Sequence, residues 1–167
     1  MDITKSLQIV FQSQIKPDSI RKFIIQYMLK EINDLIENDI IMVYPNFKVW
    51  LETKVKPDLL ANTGSRDLIL ILENNTGKLA GFAIVKDTEE EKKICTFRVH
   101  EKYRRSGCGK WLMEECLCRL KTTSPVITVS SKYIGQFEKI FDKFKFVQTN
   151  MIENMYVNGM NEYIYNK

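Results

Sequence analysis

The run Ile94-Cys95-Thr96-Phe97-Arg98-Val99, followed shortly by Arg104-Arg105-Ser106-Gly107-Cys108-Gly109-Lys110, constrains the fold more than any other stretch of the chain. The first run is β-branched and aromatic and reads as a strand. Trp111 to Leu120 is amphipathic and reads as a helix. A basic, glycine-punctuated turn joins the two. Such a junction leaves backbone N–H groups without acceptors at the helix start, beside the positive end of its dipole. That arrangement receives phosphate oxygens. Two familiar phosphate turns are excluded by spacing. A dinucleotide turn needs G-x-G-x-x-G, and its third glycine position holds Leu112; a P-loop needs Gly-Lys-Ser/Thr, and Trp111 follows Gly109-Lys110. What remains is Arg104-x-x-Gly107-x-Gly109, with two glycines free to adopt positive φ.

The rest of the pattern is arranged around this unit. Leu7 to Phe11 reads as a short strand, and Pro17-Asp18-Ser19 as a helix start with Asp18 or Ser19 as cap. Ile20, Phe23, Ile24, Tyr27, Met28, Ile32, Leu35 and Ile36 then hold one helical face. Pro45 to Val55 reads as a second helix. Leu68 to Glu73 and Leu79 to Lys86 form strands around the turn Asn74-Asn75-Thr76-Gly77-Lys78, and the charged stretch Asp87 to Lys92 leads into the opening strand. Val126 to Val129 is a short strand, Tyr133 to Lys143 a helix, and the tail holds two strands around Asn158-Gly159. Adjacent hairpins mixed with helical crossovers predict a single α/β domain over residues 1–167, with a mixed, mostly antiparallel sheet flanked by helices.

At 167 residues the chain can bury one sizeable core, and its net charge of +4 is mild for a dedicated nucleic-acid binder. No signal sequence and no apolar run long enough to span a membrane is visible. Cys95, Cys108, Cys116 and Cys118 match no common zinc spacing, so no metal is expected; they read as reduced thiols, which points to the cytoplasm.

With its strand and helix in place, Arg104-x-x-Gly107-x-Gly109 resembles the Arg/Gln-x-x-Gly-x-Gly/Ala signature of the GNAT superfamily of N-acetyltransferases. The lead-in Val99-x-x-x-Tyr103-Arg104 looks like that family too, and the element order matches its acyl-CoA N-acyltransferase fold over nearly the whole chain. The resemblance implies acetyl-CoA as acyl donor and an amine as acceptor. It implies that Arg104, Arg105, Ser106, Gly107, Cys108, Gly109 and Lys110 hold the pyrophosphate. Main-chain groups of Phe97 and Val99 would pair with the pantetheine arm as an added strand does.

The catalytic groups are less legible. The family often carries a Tyr as proton donor in a pattern ending Leu-Tyr-x-x-x-Gly-Phe; here Phe141 stands at the Tyr and Lys145 at the Gly. Tyr133, at the start of the same helix, is the nearest hydroxyl and falls where the family often keeps a cofactor-contacting Asn. Glu91 shares parity with Phe97 and Val99 and is a candidate base, although it lies in the charged run Glu89-Glu90-Glu91-Lys92-Lys93. Glu73 and His100 are weaker alternatives for that role. Two other readings stay open: a CoA-binding regulatory or interaction protein without turnover, and an acetyltransferase acting on aminoacyl-tRNA. Monomer and homodimer are both compatible with the sequence.

Overall fold

Seven strands form one sheet in the order β1-β2-β3-β4-β5-β7-β6 in the computed structural model, which describes residues 6–36 and 38–167. Along the chain these are β1 (Leu7–Phe11), α1 (Asp18–Leu35), α2 (Asn38–Val43), α3 (Phe47–Trp50), a π-helical turn (Leu51–Val55), α4 (Lys56–Ala61), β2 (Arg66–Glu73), β3 (Leu79–Asp87) and β4 (Lys92–Val99). There follow α5 (Cys108–Leu120), β5 (Val126–Ser130), α6 (Ile134–Phe144), β6 (Gln148–Glu153) and β7 (Asn161–Tyr165). Every strand pair is antiparallel except β4 with β5.

Helices cover both faces, as the pattern predicts. On one, Leu112, Met113 and Cys116 of α5 and Phe141 of α6 pack on Ile69, Ile71 and Ala83. On the other, Ile25, Leu29 and Ile32 of α1 join Leu51 and Leu59 against Leu68, Leu70, Phe82 and Ile84. The central strands are therefore apolar on both sides; Leu68 to Ile71 are wholly buried.

The face of α1 differs from expectation. Ile20, Phe23 and Tyr27 stand 48%, 68% and 50% exposed, while Ile25, Met28, Leu29, Ile32 and Ile36 are buried. Apolar residues cover more of this helix than the sheet can take, so the period identifies the stripe but not its docked part. Arg21 is buried with that face because its guanidinium donates to Leu59 O (2.6 Å) and Leu60 O (3.1 Å). These are carbonyls of the last turn of α4, which a helix cannot satisfy internally. Asp18 is not the cap. Pro17 holds the N-cap position without a side-chain bond, and Asp18 pairs with Arg21 and Lys22.

The second helix is longer than Pro45 to Val55. Helical backbone runs from Phe47 to Ala61, and α2 precedes it as a separate element. Pro57 lacks the N–H that would continue the ladder, and the helix widens into the π turn just before it.

Candidate active site

β4 and β5 are held together at two register positions only, Lys93 with Val126 and Ile94 with Ile127. Beyond them the strands part. β4 stays paired with β3 out to Val99, and β5 stays paired with β7 out to Ser130, so a wedge opens between the two strands. A bulge helps to set it: Ile94 faces Val85 and Thr96 faces Ile84, leaving Cys95 as the extra residue.

Backbone directions in the wedge follow from the flanking bonds. His100 N–H donates to Ala80 O, so the even-numbered residues of this half of β4 turn their N–H and C=O toward β3. Phe97 and Val99 therefore turn theirs into the wedge. Consistent with this, Val99 O accepts from Arg104 Nε (3.2 Å) rather than from β3. On the opposite side Ser131 N–H donates to Asn161 O of β7, which leaves Ser130 N–H aimed at the wedge.

The turn after β4 is concave. Arg105 and Gly107 have φ of +62° and +91°, and helix α5 begins at Cys108. Trp111 N–H is the first to donate within the helix, to Gly107 O, so the N–H groups of Cys108, Gly109 and Lys110 precede the first intrahelical acceptor. Left-handed residues alternating with ordinary ones make an anion nest. Gly109 is needed for a different reason: a Cβ there would lie 3.1 Å from Ile140 Cδ1, where α5, α6 and β4 converge.

Side chains in the turn take separate roles. Ser106 Oγ donates to Tyr103 O (2.6 Å), and the Cys108 thiol is buried in the core, with burial pushing it up to about 11. Both residues therefore offer the turn their main chain. Lys110 pairs with Glu114 (3.5 Å), and the ammonium of Lys143 from α6 sits beside Lys110, which lowers its pKa. A surface depression of about 390 Å³, lined by Gly107, Lys110, Trp111 and Glu114, lies at the first turn of α5.

Glu91 does not come to the wedge. It sits at the closed end of the β4–β5 pair, bonded to Lys86 (3.0 Å), with its own N–H on Thr88 Oγ1. The bulge at Cys95 breaks the parity that linked it to Phe97. Burial works to raise its pKa, but the Lys86 bond and nearby Lys93 more than offset this, and it rests below the usual value. Glu73 accepts from Tyr103, Thr76 and Lys102, with its pKa lowered mainly by the Thr76 bond, and His100 Nδ1 accepts from Lys102 N–H. Tyr133 does lie at the open end, as N-cap of α6 just past β5, with its ring against the α5–α6 core. Phe141 is 3% exposed, ringed by Phe137, Phe146 and Tyr165.

A second cluster was not anticipated. Tyr44, between α2 and α3, accepts the wedge-facing Ser130 N–H at 3.1 Å. Its own O–H donates to Glu162 Oε1 (3.1 Å) on β7. Glu162 is 2% exposed, also bonded by Thr128 of β5. Burial raises its pKa. The ring of Tyr156, from the β6–β7 loop, meets Tyr44 edge-on at 5.2 Å. No group of metal-ligating side chains occurs among the described residues.

Residues 39–163 match the family model described as an acetyltransferase (GNAT) domain. Among solved structures, a GNAT-family protein from Desulfovibrio desulfuricans superposes with TM-score 0.68 at 14% identity, covering 95% of this chain and 96% of the other. Arabidopsis thaliana Naa50, solved with the bisubstrate analogue CoA-Ac-MVNAL, superposes at 0.64 with 20% identity over 97% and 98%. Arabidopsis thaliana NAA60, also with a bisubstrate analogue, gives 0.60 at 14% identity over 95% and 97%. No curated protein sequence matches the chain. The chain belongs to the GNAT family of acetyltransferases. Its donor is acetyl-CoA, and a parted β4–β5 edge ending in an anion nest has the backbone groups to hold such a molecule.

Proposed function

We propose that the chain, as one N-acetyltransferase domain over residues 1–167, moves acetyl from acetyl-CoA to a primary amine of a small molecule, peptide or protein in the cytoplasm. The carrying observation is the outward main chain of Phe97 and Val99, followed across the single 3-10 turn Glu101–Tyr103 by the nest of Arg105 to Lys110. N–H groups of the nest and the charges of Arg104, Arg105 and Lys110 would hold the pyrophosphate; each charge-assisted bond contributes about 1.5–3 kcal/mol. Phe97 and Val99 would hold the pantetheine arm as a strand. Bound there, acetyl-CoA supplies an activated acyl group. The wedge-facing N–H near Val99 polarises its carbonyl, and the two edges fix the angle of attack. Tyr133, at the mouth of the wedge, gives a proton to the departing thiol. Free thiols at Cys95, Cys108, Cys116 and Cys118 fit a reducing compartment. No helix among the described residues is long and apolar enough to cross a membrane.

Calorimetry with acetyl-CoA on wild type and Gly107→Val tests the donor site. A non-glycine, β-branched residue resists φ of +91°, so binding should weaken at least tenfold while the core stays folded. Equal affinity in the two proteins would refute the assignment of the nest. Thiol release across a panel of amines, peptides and charged tRNA then reads the acceptor; Tyr133→Phe should slow it without changing acetyl-CoA affinity. Tight binding with no release on any of them would mark a CoA-binding protein without turnover.

A further inference from the structure

A carboxylate removed from water with no cation bonded directly to it is costly to keep. Glu162 is such a group. It is 2% exposed, and among the described residues it forms no ion pair. Its bonds come from the neutral hydroxyls of Tyr44 and Thr128. Tyr44 is fixed from both sides. It accepts Ser130 N–H on the β5 edge of the wedge and donates to Glu162, and burial together with the adjacent carboxylate keeps it a neutral phenol. Tyr44 and Thr128, with Ser130 anchoring the tyrosine, thus hold one carboxyl at the margin of the gap that β4 and β5 leave open.

We propose that Glu162 is the proton acceptor for the attacking amine, with Tyr44 as the positioning residue that holds its carboxylate at the wedge. The inference rests on the acetyl-transfer reading and names the base that reading lacks. An amine reaching the wedge as an ammonium gives one proton to Glu162 Oε. The freed lone pair forms the new N–C bond as the C–S bond of the thioester breaks. Sulfur departs with that bonding pair and a proton from Tyr133, and the nitrogen's second proton, passed through water, restores the tyrosine. Glu162 then returns its proton to solvent. Among the described residues, the charged and titratable groups facing Glu162 are Tyr44, Tyr156 from the β6–β7 loop, and Lys93 from β4, with Cys95 of β4 acting on Tyr156. Burial outweighs the Tyr44 and Thr128 bonds and the Lys93 charge, so the carboxyl's pKa is raised from its ordinary value, which favours proton uptake at Oε.

The test uses acetyl-CoA with methylamine, the smallest primary amine, so that the chemical step is read whatever the natural acceptor. In wild type, kcat/KM for methylamine should fall on an acid limb set by Glu162. Glu162→Gln should lose about 100-fold or more in kcat and lose the limb. Tyr44→Phe, which removes a bond to the charged carboxylate, should move the limb to higher pH. Acetyl-CoA affinity by calorimetry should be unchanged in both variants, which also reports that they fold. Infrared titration of the unliganded protein should find a protonated carboxyl C=O band that Glu162→Gln removes. The proposal is overturned by a Glu162→Gln enzyme with wild-type rate and limb, or by wild-type thiol release equal to the buffer blank when acetyl-CoA is bound. Failure of wild type to bind acetyl-CoA would instead remove the donor-site reading beneath it.

Discussion

Glu162 occupies a costly position, and its cost has a sign. Burial raises its pKa above the ordinary 4.5, so across the window above that value the folded protein holds a proton that the unfolded chain has released. Stability is therefore lost as pH climbs through the folded pKa, and the deficit stays constant above it. Glu162→Gln keeps the Tyr44 donor satisfied and has no charge to bury. It should be more stable than wild type at alkaline pH, with the difference shrinking toward pH 4.5, as urea denaturation across a pH series would measure. A difference independent of pH would remove the buried charge as its cause. Nothing in Asn161-Glu162-Tyr163 advertises this, because a lone Glu in a polar tail is unremarkable. Its environment is made by Tyr44, 118 positions away, and by a strand pairing no local pattern encodes. The concave backbone of Arg104 to Lys110 is legible for the opposite reason: its shape lies in the turn itself and needs only the neighbouring strand and helix.

At the scale of elements, the helices and strands around the nest follow from period and turn residues, whereas helix ends and docked faces do not. Lys145 is instructive. The family resemblance puts Gly at this position, and the structure gives Lys145 φ of +59° as the C-cap of α6. The left-handed cap is retained with a side chain that disfavours it. Lys145→Gly should raise stability by about 0.5–1 kcal/mol, read as a higher melting temperature. No gain would mean that lost chain entropy cancels the relief. β4 offers a finer test, because its two edges differ in alternate residues. Amide exchange followed by NMR should find Phe97 and Val99 fast, and Thr96 and Arg98 slow through their bonds to β3. Saturating acetyl-CoA should slow the first pair along with Cys108 to Lys110. Uniform rates along β4 would contradict the open edge.

For the whole molecule, the decisive number is the two register positions joining β4 to β5. The two cores are continuous with the sheet on each face, and the element order legible in the chain accounts for both. What it did not predict is the extra residue at Cys95 and the early parting of the strands, since a bulge is a matter of register rather than of hydrophobic pattern. A ligand bonded to both edges would add backbone bonds across a seam that the sheet joins at only two positions, though the α5–α6 core spans it. At a hundredfold excess over its dissociation constant, acetyl-CoA should stabilise the fold by about 2.7 kcal/mol through mass action, visible as an upward thermal shift. On the proposed reading the seam also separates two roles. The donor turn lies on β4 and α5, while Glu162, Tyr44 and Tyr156 lie on β7, the α2–α3 link and the β6–β7 loop. Two modules separated in this way can be altered independently. Grafting a different β6–β7 loop would remove the Tyr156 ring from Tyr44 while leaving the backbone of the α5 turn as it is.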